Sequence, residues 1–397
     1  TSTTTAGWVN FDIDSSQQYL FPVGFAFPLN NPQAGFIDEG VLAAPNYEED
    51  KYYVGADLSV NHLSQHDLLF GVDYSYTQQG ETYAERNYRI NDNGQMEHIP
   101  NGVYIGEDNW LEEDLERRVL SLYAQDQYSI SEQWMLTAGL RWDDYDDIGS
   151  DVTPRLAVVY QLSDRQTLKA QYAKSFRPPT FLEMYVQNNA VVSGNPELKS
   201  EKLDNFELGY VYNDGLSVIR ATGFYYDLKD LIVIDTTSRS YINQGEIQAR
   251  GLELELVKQL WEQIKVDGNI SYTHADYEDG QQIPGVAQVT ANLGLFYQPR
   301  KNSLLSVQYR YVGERQRQVN DAREDLAAYH IVDLTWNQFN LLLRGLTVRL
   351  GVKNLFDSDV IYPSSLVRAP DGGVRPGYEG DYPQTGREIV LQSSYDF

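Results

Sequence analysis

No cysteine occurs in this chain, which removes disulfides, thiolate metal sites and cysteine nucleophiles while leaving the redox compartment open. Nor is there a run of about 18 apolar residues, so no membrane-spanning helix is encoded. Cations are scarce. Against 57 Asp and Glu stand 31 Lys and Arg, and the formal charge of -26 excludes nucleic acid as a natural partner. Histidine and methionine are few as well, with five and three residues. His62, His66, His98, His274 and His330 are scattered, with no His-x-x-x-His or carboxylate pairing on one element, since His62 and His66 flank a short turn and read as solvated, so no metal site is expected from them. A Gly-x-Ser-x-Gly elbow is missing, and with no other catalytic constellation the chain does not read as an enzyme. The stretch 1–7 has neither the charged start nor the apolar middle of a secretory leader, which for an exported protein implies a mature or truncated chain.

What is abundant is tyrosine, 30 residues beside 14 Phe and 6 Trp, and amphipathic rings of this kind belong at a membrane-water boundary. The dominant pattern is period-2 alternation in segments of about ten residues. Trp134, Leu136, Ala138, Leu140 and Trp142 share one face, with Thr137, Gly139, Arg141 and Asp143 on the other. Leu156, Val158, Tyr160 and Leu162 continue it, then Leu168, Ala170 and Tyr172, then Phe206, Leu208, Tyr210 and Tyr212. Leu252, Leu254 and Leu256 oppose Glu253 and Glu255, and the same alternation recurs around Ile270, Val307 and Val348.

Alternation alone fits a soluble sandwich as well as a membrane barrel. Connection lengths separate them. Short turns are expected at 62–65, 129–133, 163–165, 213–215, 259–262, 299–302 and 340–345. Long connections rotate with them at 79–116, 143–151, 177–201, 227–241, 275–286, 313–327 and 355–386, with another at 14–50. Short turns on one rim and long loops on the other are the asymmetry of an outer-membrane barrel. The expectation is all-β: a transmembrane antiparallel barrel domain over 1–397, with roughly sixteen strands present, the first near Gly7 to Ile13. The last strand places Ile389, Leu391, Tyr395 and Phe397 on one face, a terminal pattern that resembles the signal read by the barrel assembly machinery.

Several stretches go further. Tyr123-Ala124-Gln125-Asp126-Gln127-Tyr128 and Leu136 to Asp143 form one hairpin, followed by Tyr172-Ala173-Lys174-Ser175-Phe176-Arg177-Pro178-Pro179. Then come Gly194-Asn195-Pro196-Glu197-Leu198, Phe206 to Tyr210, Gly351-Val352-Lys353-Asn354-Leu355-Phe356 and Pro383-Gln384-Thr385-Gly386-Arg387. In this order they resemble the barrel of TonB-dependent outer-membrane receptors, including the Phe-Arg-Ala-Pro box, where Pro178 replaces the usual Ala. The resemblance covers Leu115 to Phe397. It implies uptake of a scarce nutrient across the outer membrane of a Gram-negative bacterium, most simply a ferric siderophore, with cobalamin as an alternative. It also implies contact with lipid and lipopolysaccharide, a TonB-contacting box, and a plug inside a 22-stranded barrel. Plug and about six strands are not in this sequence, which is then expected to be part of a longer chain; a self-contained sixteen-stranded porin is the other reading.

Heme receptors of this family place a His between the two boxes, and none lies between Arg177 and Asn195; three Met likewise argue against copper. Ligand contact is expected from aromatic and cationic side chains on long loops. The candidates are Tyr83, Arg86, Tyr88 and Arg89; Arg177 and Tyr185; Arg239 and Tyr241; Arg315 and Arg317; and Tyr362, Arg368, Arg375 and Tyr378. No cofactor is expected beyond the transported chelate. The carboxylates from Glu107 to Glu116, with Asp143, Asp144, Asp146 and Asp147, read as a solvated face, with loop-bound calcium as the sharper alternative.

Overall fold

Strands of alternating character pair with their neighbours because lipid offers no other partner to a backbone N–H or C=O. A computed structural model describes residues 1–14, 18–21, 25–26, 36–37, 40–90, 96–99, 104–105, 110–189, 192–235, 238–368, 374–378 and 380–396. Among the described residues eighteen strands join one sheet, two of them the short Gln18–Phe21 and Tyr104–Ile105. The sixteen long ones begin with β1 (Ser2–Asp14), β2 (Val41–Leu63), β3 (His66–Arg86), β4 (Glu116–Ser129), β5 (Trp134–Tyr145), β6 (Gly149–Ser163), β7 (Gln166–Arg177) and β8 (Glu201–Asn213). It continues through β9 (Ser217–Lys229), β10 (Glu246–Trp261), β11 (Ile264–Tyr277), β12 (Val289–Arg300), β13 (Ser303–Val312), β14 (Tyr329–Gln338), β15 (Leu346–Lys353) and β16 (Glu388–Tyr395). One helix among the described residues, α1 (Phe181–Tyr185), lies between β7 and β8.

Every strand pairs antiparallel with the next in sequence. Among the described residues β1 pairs only with β2 and β16 only with β15. The sheet therefore has two free edges.

One face is apolar and uncovered. Leu208 and Leu252 are 63% exposed and Leu391 is 73% exposed, on strands far apart in the chain. A sandwich would bury these side chains under a second sheet; here they form the lipid-facing belt. The opposite face carries Gln125, Arg141, Glu207 and Glu253. At the short-turn rim rings stack in pairs, Trp134 on Tyr160 with centroids 4.2 Å apart and His66 on Tyr128 at 4.3 Å. His66 Nδ1 also lies 2.8 Å from Asp126, an occupation unrelated to metal; the side chain of His62 lies outside the described residues.

The strands outrun the expected loop boundaries. β2 has 23 residues and β3 has 21, so both continue well beyond the ~30 Å of hydrocarbon. Between β5 and β6, where a long connection at 143–151 was expected, only the turn at 146–148 remains. The ladder pairs Asp143 with Asp151 and Asp144 with Ser150. Polar side chains end a strand's stay in lipid, while its backbone hydrogen bonds continue into water unaffected.

The belt generates a prediction. Leu254→Arg, mid-strand on the lipid face, is expected to cost about 2–4 kcal/mol of folding stability in vesicles. Glu253→Gln, facing the lumen, is expected to be near neutral. Urea titration with heat-modifiable gel migration as readout checks both, and equal effects would contradict the assigned faces.

Candidate functional site

At the long-loop rim the polypeptide turns inward, and Arg117 at the head of β4 organises it. Its guanidinium donates to Asp147 at 2.6 Å and to the Pro179 carbonyl at 2.9 Å, and its charge lies 4.9 Å from the Phe181 ring centre. Three contacts on one side chain fix where the Arg177-Pro178-Pro179 tract ends. Thr180 then caps α1, accepting from the Glu183 amide, while the Glu183 carboxylate accepts from the Thr180 amide at 2.8 Å. Phe181 packs with Leu111 and Leu115, and Tyr47, Trp110 and Tyr185 close around them. Burial, with Asp147 nearby, raises the Tyr185 hydroxyl above its ordinary pKa.

Arg177 is consumed locally, donating to Glu201 at 2.7 Å and to Glu183 at 3.0 and 3.1 Å. The Asn195-Pro196-Glu197-Leu198 stretch docks beside it. Gly194 donates to the Val186 carbonyl at 2.7 Å, and a Cβ there would stand 2.5 Å from the Met184 carbonyl oxygen, so only glycine fits. Asn195 Nδ2 reaches the Tyr241 carbonyl at 2.9 Å, tying this loop to the short ladder of Ile232–Ile234 with Tyr241–Asn243. Tyr241 is partly buried, and its hydroxyl is raised by that burial.

A second brace joins the β13–β14 and β15–β16 loops. Arg317 donates to Asp381 at 2.5 and 3.1 Å, and Arg323 bridges Asp381 and Asp321 at 2.6 Å each. The Ser364 amide adds a bond to Asp381 at 3.0 Å. Arg315 is buried nearby, donating to the Ile361 carbonyl at 2.9 Å with its charge 5.2 Å from the Tyr329 ring centre. Donation from Arg317, supported by the Ser364 amide, holds the Asp381 carboxyl far below the ordinary carboxylate range.

Between the inner walls of β1 to β5 and α1 lies a cavity of about 1070 Å³, lined by Tyr47, Trp110, Tyr145 and Phe181 among others. Its charges are matched: Lys51, Arg117 and Arg141 face it, as do Glu49, Asp73 and Asp143. Arg141 donates to Asp143 at 2.8 Å and to Asp73 at 3.3 Å. Such a wall offers ring faces for stacking and paired charges for orientation. Among the described residues no group of three His, Asp or Glu could hold a metal ion.

The structure distributes the other sequence candidates unevenly. Tyr83 is half-buried within β3 rather than on a loop. Arg86 and Tyr88 are buried, each 2% exposed, and Arg86 donates to the Asn188 carbonyl at 2.7 Å. Arg89 pairs with Glu97 at 2.8 Å. Arg239 holds a left-handed backbone with φ 59° and accepts from the Ser193 amide. Tyr362 and Tyr378 are about half exposed, the latter stacked on Tyr382 at 5.8 Å; Arg375 lies exposed in the ladder of Leu366–Arg368 with Val374–Pro376. The Arg368 side chain, residues 107–109 and Phe397 lie outside the described residues, while Tyr395 sits on β16 opposite Leu346. Of the acidic residues, Asp143, Asp146 and Asp147 each engage an arginine. Residues not singled out by sequence reasoning, Arg117, Glu183, Arg323 and Asp381, carry most of the architecture. Alternation alone places Arg117 inward, but nothing local marks its partners.

Two outcomes are expected. Arg117→Met removes charged hydrogen bonds worth about 1.5–3 kcal/mol each and should speed amide exchange across Phe181–Tyr185 by at least about tenfold. Because the Asp381 pKa is depressed on folding, its stabilisation is present above about pH 4, the unfolded value, and is lost only as pH falls through the folded value. Limited proteolysis of the 313–328 loop should thus be flat from pH 8 to about 4, whereas Asp381→Asn should open it at neutral pH; cleavage already at pH 6 would contradict the brace.

Comparison with known proteins agrees with this architecture. Residues 2–355 match the family described as TonB dependent receptor-like, beta-barrel. The iron-regulated outer membrane virulence protein of Vibrio cholerae is 26% identical over 328 residues, which cover 76% of this chain and 47% of that protein. The ferric enterobactin receptor of Pseudomonas aeruginosa is 29% identical over 60% of this chain and 37% of its own length, and the vitamin B12 transporter BtuB of Photobacterium profundum is 27% identical over 62% and 40%. The chain spans about half the length of the relatives it matches. In fold it superposes on a mutant of the ferric enterobactin receptor of Pseudomonas aeruginosa with a TM-score of 0.72 at 19% identity, covering 100% of this chain and 59% of that one. The siderophore receptor PirA of Acinetobacter baumannii gives 0.72 at 18%, with 100% and 60% covered. The chain belongs to the TonB-dependent receptor β-barrel family of the Gram-negative outer membrane.

Proposed function

We propose that this chain forms the wall and mouth of a transporter that captures a ferric siderophore outside the cell and admits it when TonB acts on a plug domain. The observation that carries the reading is the mouth. Long loops are cross-linked over an aromatic-lined cavity whose volume of about 1070 Å³ suits a chelate with several flat rings. The ferric enterobactin receptor among the relatives supports the same ligand class. The vitamin B12 transporter supports cobalamin as a second reading.

The edges of the sheet bear on the porin alternative. Sixteen strands make a passive pore only if the first and last pair, and β1 and β16 do not pair among the described residues. Unpaired backbone in hydrocarbon costs several kcal/mol per group, so the wall requires further strands along both edges. We propose that the intact receptor supplies them, together with the plug.

A deletion strain grown under iron limitation on single ferric siderophores, with cobalamin tested separately, decides among these. Loss of growth on one chelate, abolished equally by loss of TonB, is the expected result. Full growth on every chelate would sink iron uptake, and uptake independent of TonB would favour a pore.

A further inference from the structure

The cavity beneath α1 is rich in rings and poor in free positive charge. Its β1 wall is apolar where a lumen wall is ordinarily polar: Val9 and Phe11 are each 52% exposed on the inner side, in register with Lys51 and Glu49 of β2. Phe11 meets Tyr47 edge-to-face with centroids 6.4 Å apart, and Tyr47 meets Trp110 in the same way at 6.4 Å. The three rings run as one band from the free edge of the sheet to the cluster around Phe181.

Carboxylates answer the cations of this wall. Arg117 is held by Asp147 at 2.6 Å. Arg141 stands between Asp143 at 2.8 Å and Asp73 at 3.3 Å, with its charge 5.1 Å from the Tyr123 ring centre. Lys51 makes no ion pair among the described residues, but Glu49 lies two residues along the same face. With Asp147 counted, four carboxylates therefore meet three cations. Asp143 is buried and also takes the Ser121 hydroxyl at 2.5 Å, which fixes it against Arg141.

This balance discriminates among ferric chelates by charge. Three hydroxamates, each singly negative, cancel the charge of ferric iron, whereas three catecholates, each doubly negative, leave a triple anion. Such an anion would give up its water on entry and find no guanidinium unmatched, while the partly exposed Asp73 would repel it. We infer that the cavity selects an uncharged ferric chelate of trihydroxamate type, and that Asp73 and Asp143 are the residues that exclude anionic ones. The inference rests on the transport reading above and adds the charge class of the cargo. Flat five-membered chelate rings and an apolar backbone match the band of Phe11, Tyr47 and Trp110, and no arginine has to leave its partner for such a ligand to bind.

Quenching of tryptophan fluorescence in the full-length receptor, to which Trp110 contributes from within the cavity, gives Kd for a ferric cyclic trihydroxamate and for a ferric tricatecholate. The trihydroxamate is expected to bind at least about tenfold more tightly. Asp73→Asn leaves Arg141 one carboxylate and is expected to strengthen tricatecholate binding at least about fivefold, with the trihydroxamate changed by less than about twofold. Glu49→Gln provides a second charge-removing variant, and heat-modifiable migration verifies that each barrel folds. Equal or tighter binding of the tricatecholate, binding of neither chelate, or a ratio unmoved by both substitutions in folded barrels would overturn the inference. TonB-dependent growth on a tricatecholate would overturn it as well while upholding the transport reading, so the two can fail separately.

Discussion

The structure depends on one constraint, that every backbone N–H and C=O held at membrane depth must meet another. Sequential antiparallel pairing satisfies it strand by strand, and the rest follows. Because each strand binds only its predecessor and successor, one face of the sheet is committed to lipid along its whole length, and Leu208, Leu252 and Leu391 stay uncovered. The other face is released from packing and can carry Arg141, Glu207 and Glu253. Among the described residues the same rule leaves β1 and β16 as edges.

The mouth answers a second problem, how to hold long loops in a chain with so few cations. Several of its arginines serve more than one partner. Arg117 fixes Asp147, Pro179 and Phe181, Arg177 fixes Glu183 and Glu201, and Arg317 with Arg323 gathers Asp321 and Asp381. Positive charge is thus used as cross-linking between loops. The cavity has no surplus of it, and its recognition surface is mainly aromatic.

This division explains how much could be read from the residues alone. Alternation is local, so the sixteen strands, their faces and the short turns were legible, down to Trp134 to Trp142 lying on one face. Strand ends were less so, because Asp143 to Asp151 look like a loop by composition although all but the turn at 146–148 remains paired. Contacts across the mouth were the least legible. Arg317 and Asp381 are 64 residues apart and Arg117 and Pro179 are 62 apart, separations at which no spacing rule operates. Arg86 and Arg177 were chosen as loop cations available to a ligand, yet the structure gives them the Asn188 carbonyl and two glutamates.

The outer wall, with a shallow groove of about 860 Å³ spread over β6 to β11, shows the same logic turned toward the membrane. Within the belt, alternation specifies which residues face lipid but not how deep the surface lies. Depth comes from register, which sets Ala170 beside Leu208 and Gly223 beside Leu252. Small residues distributed over separate strands are inconspicuous in sequence and become one feature only when the ladder aligns them.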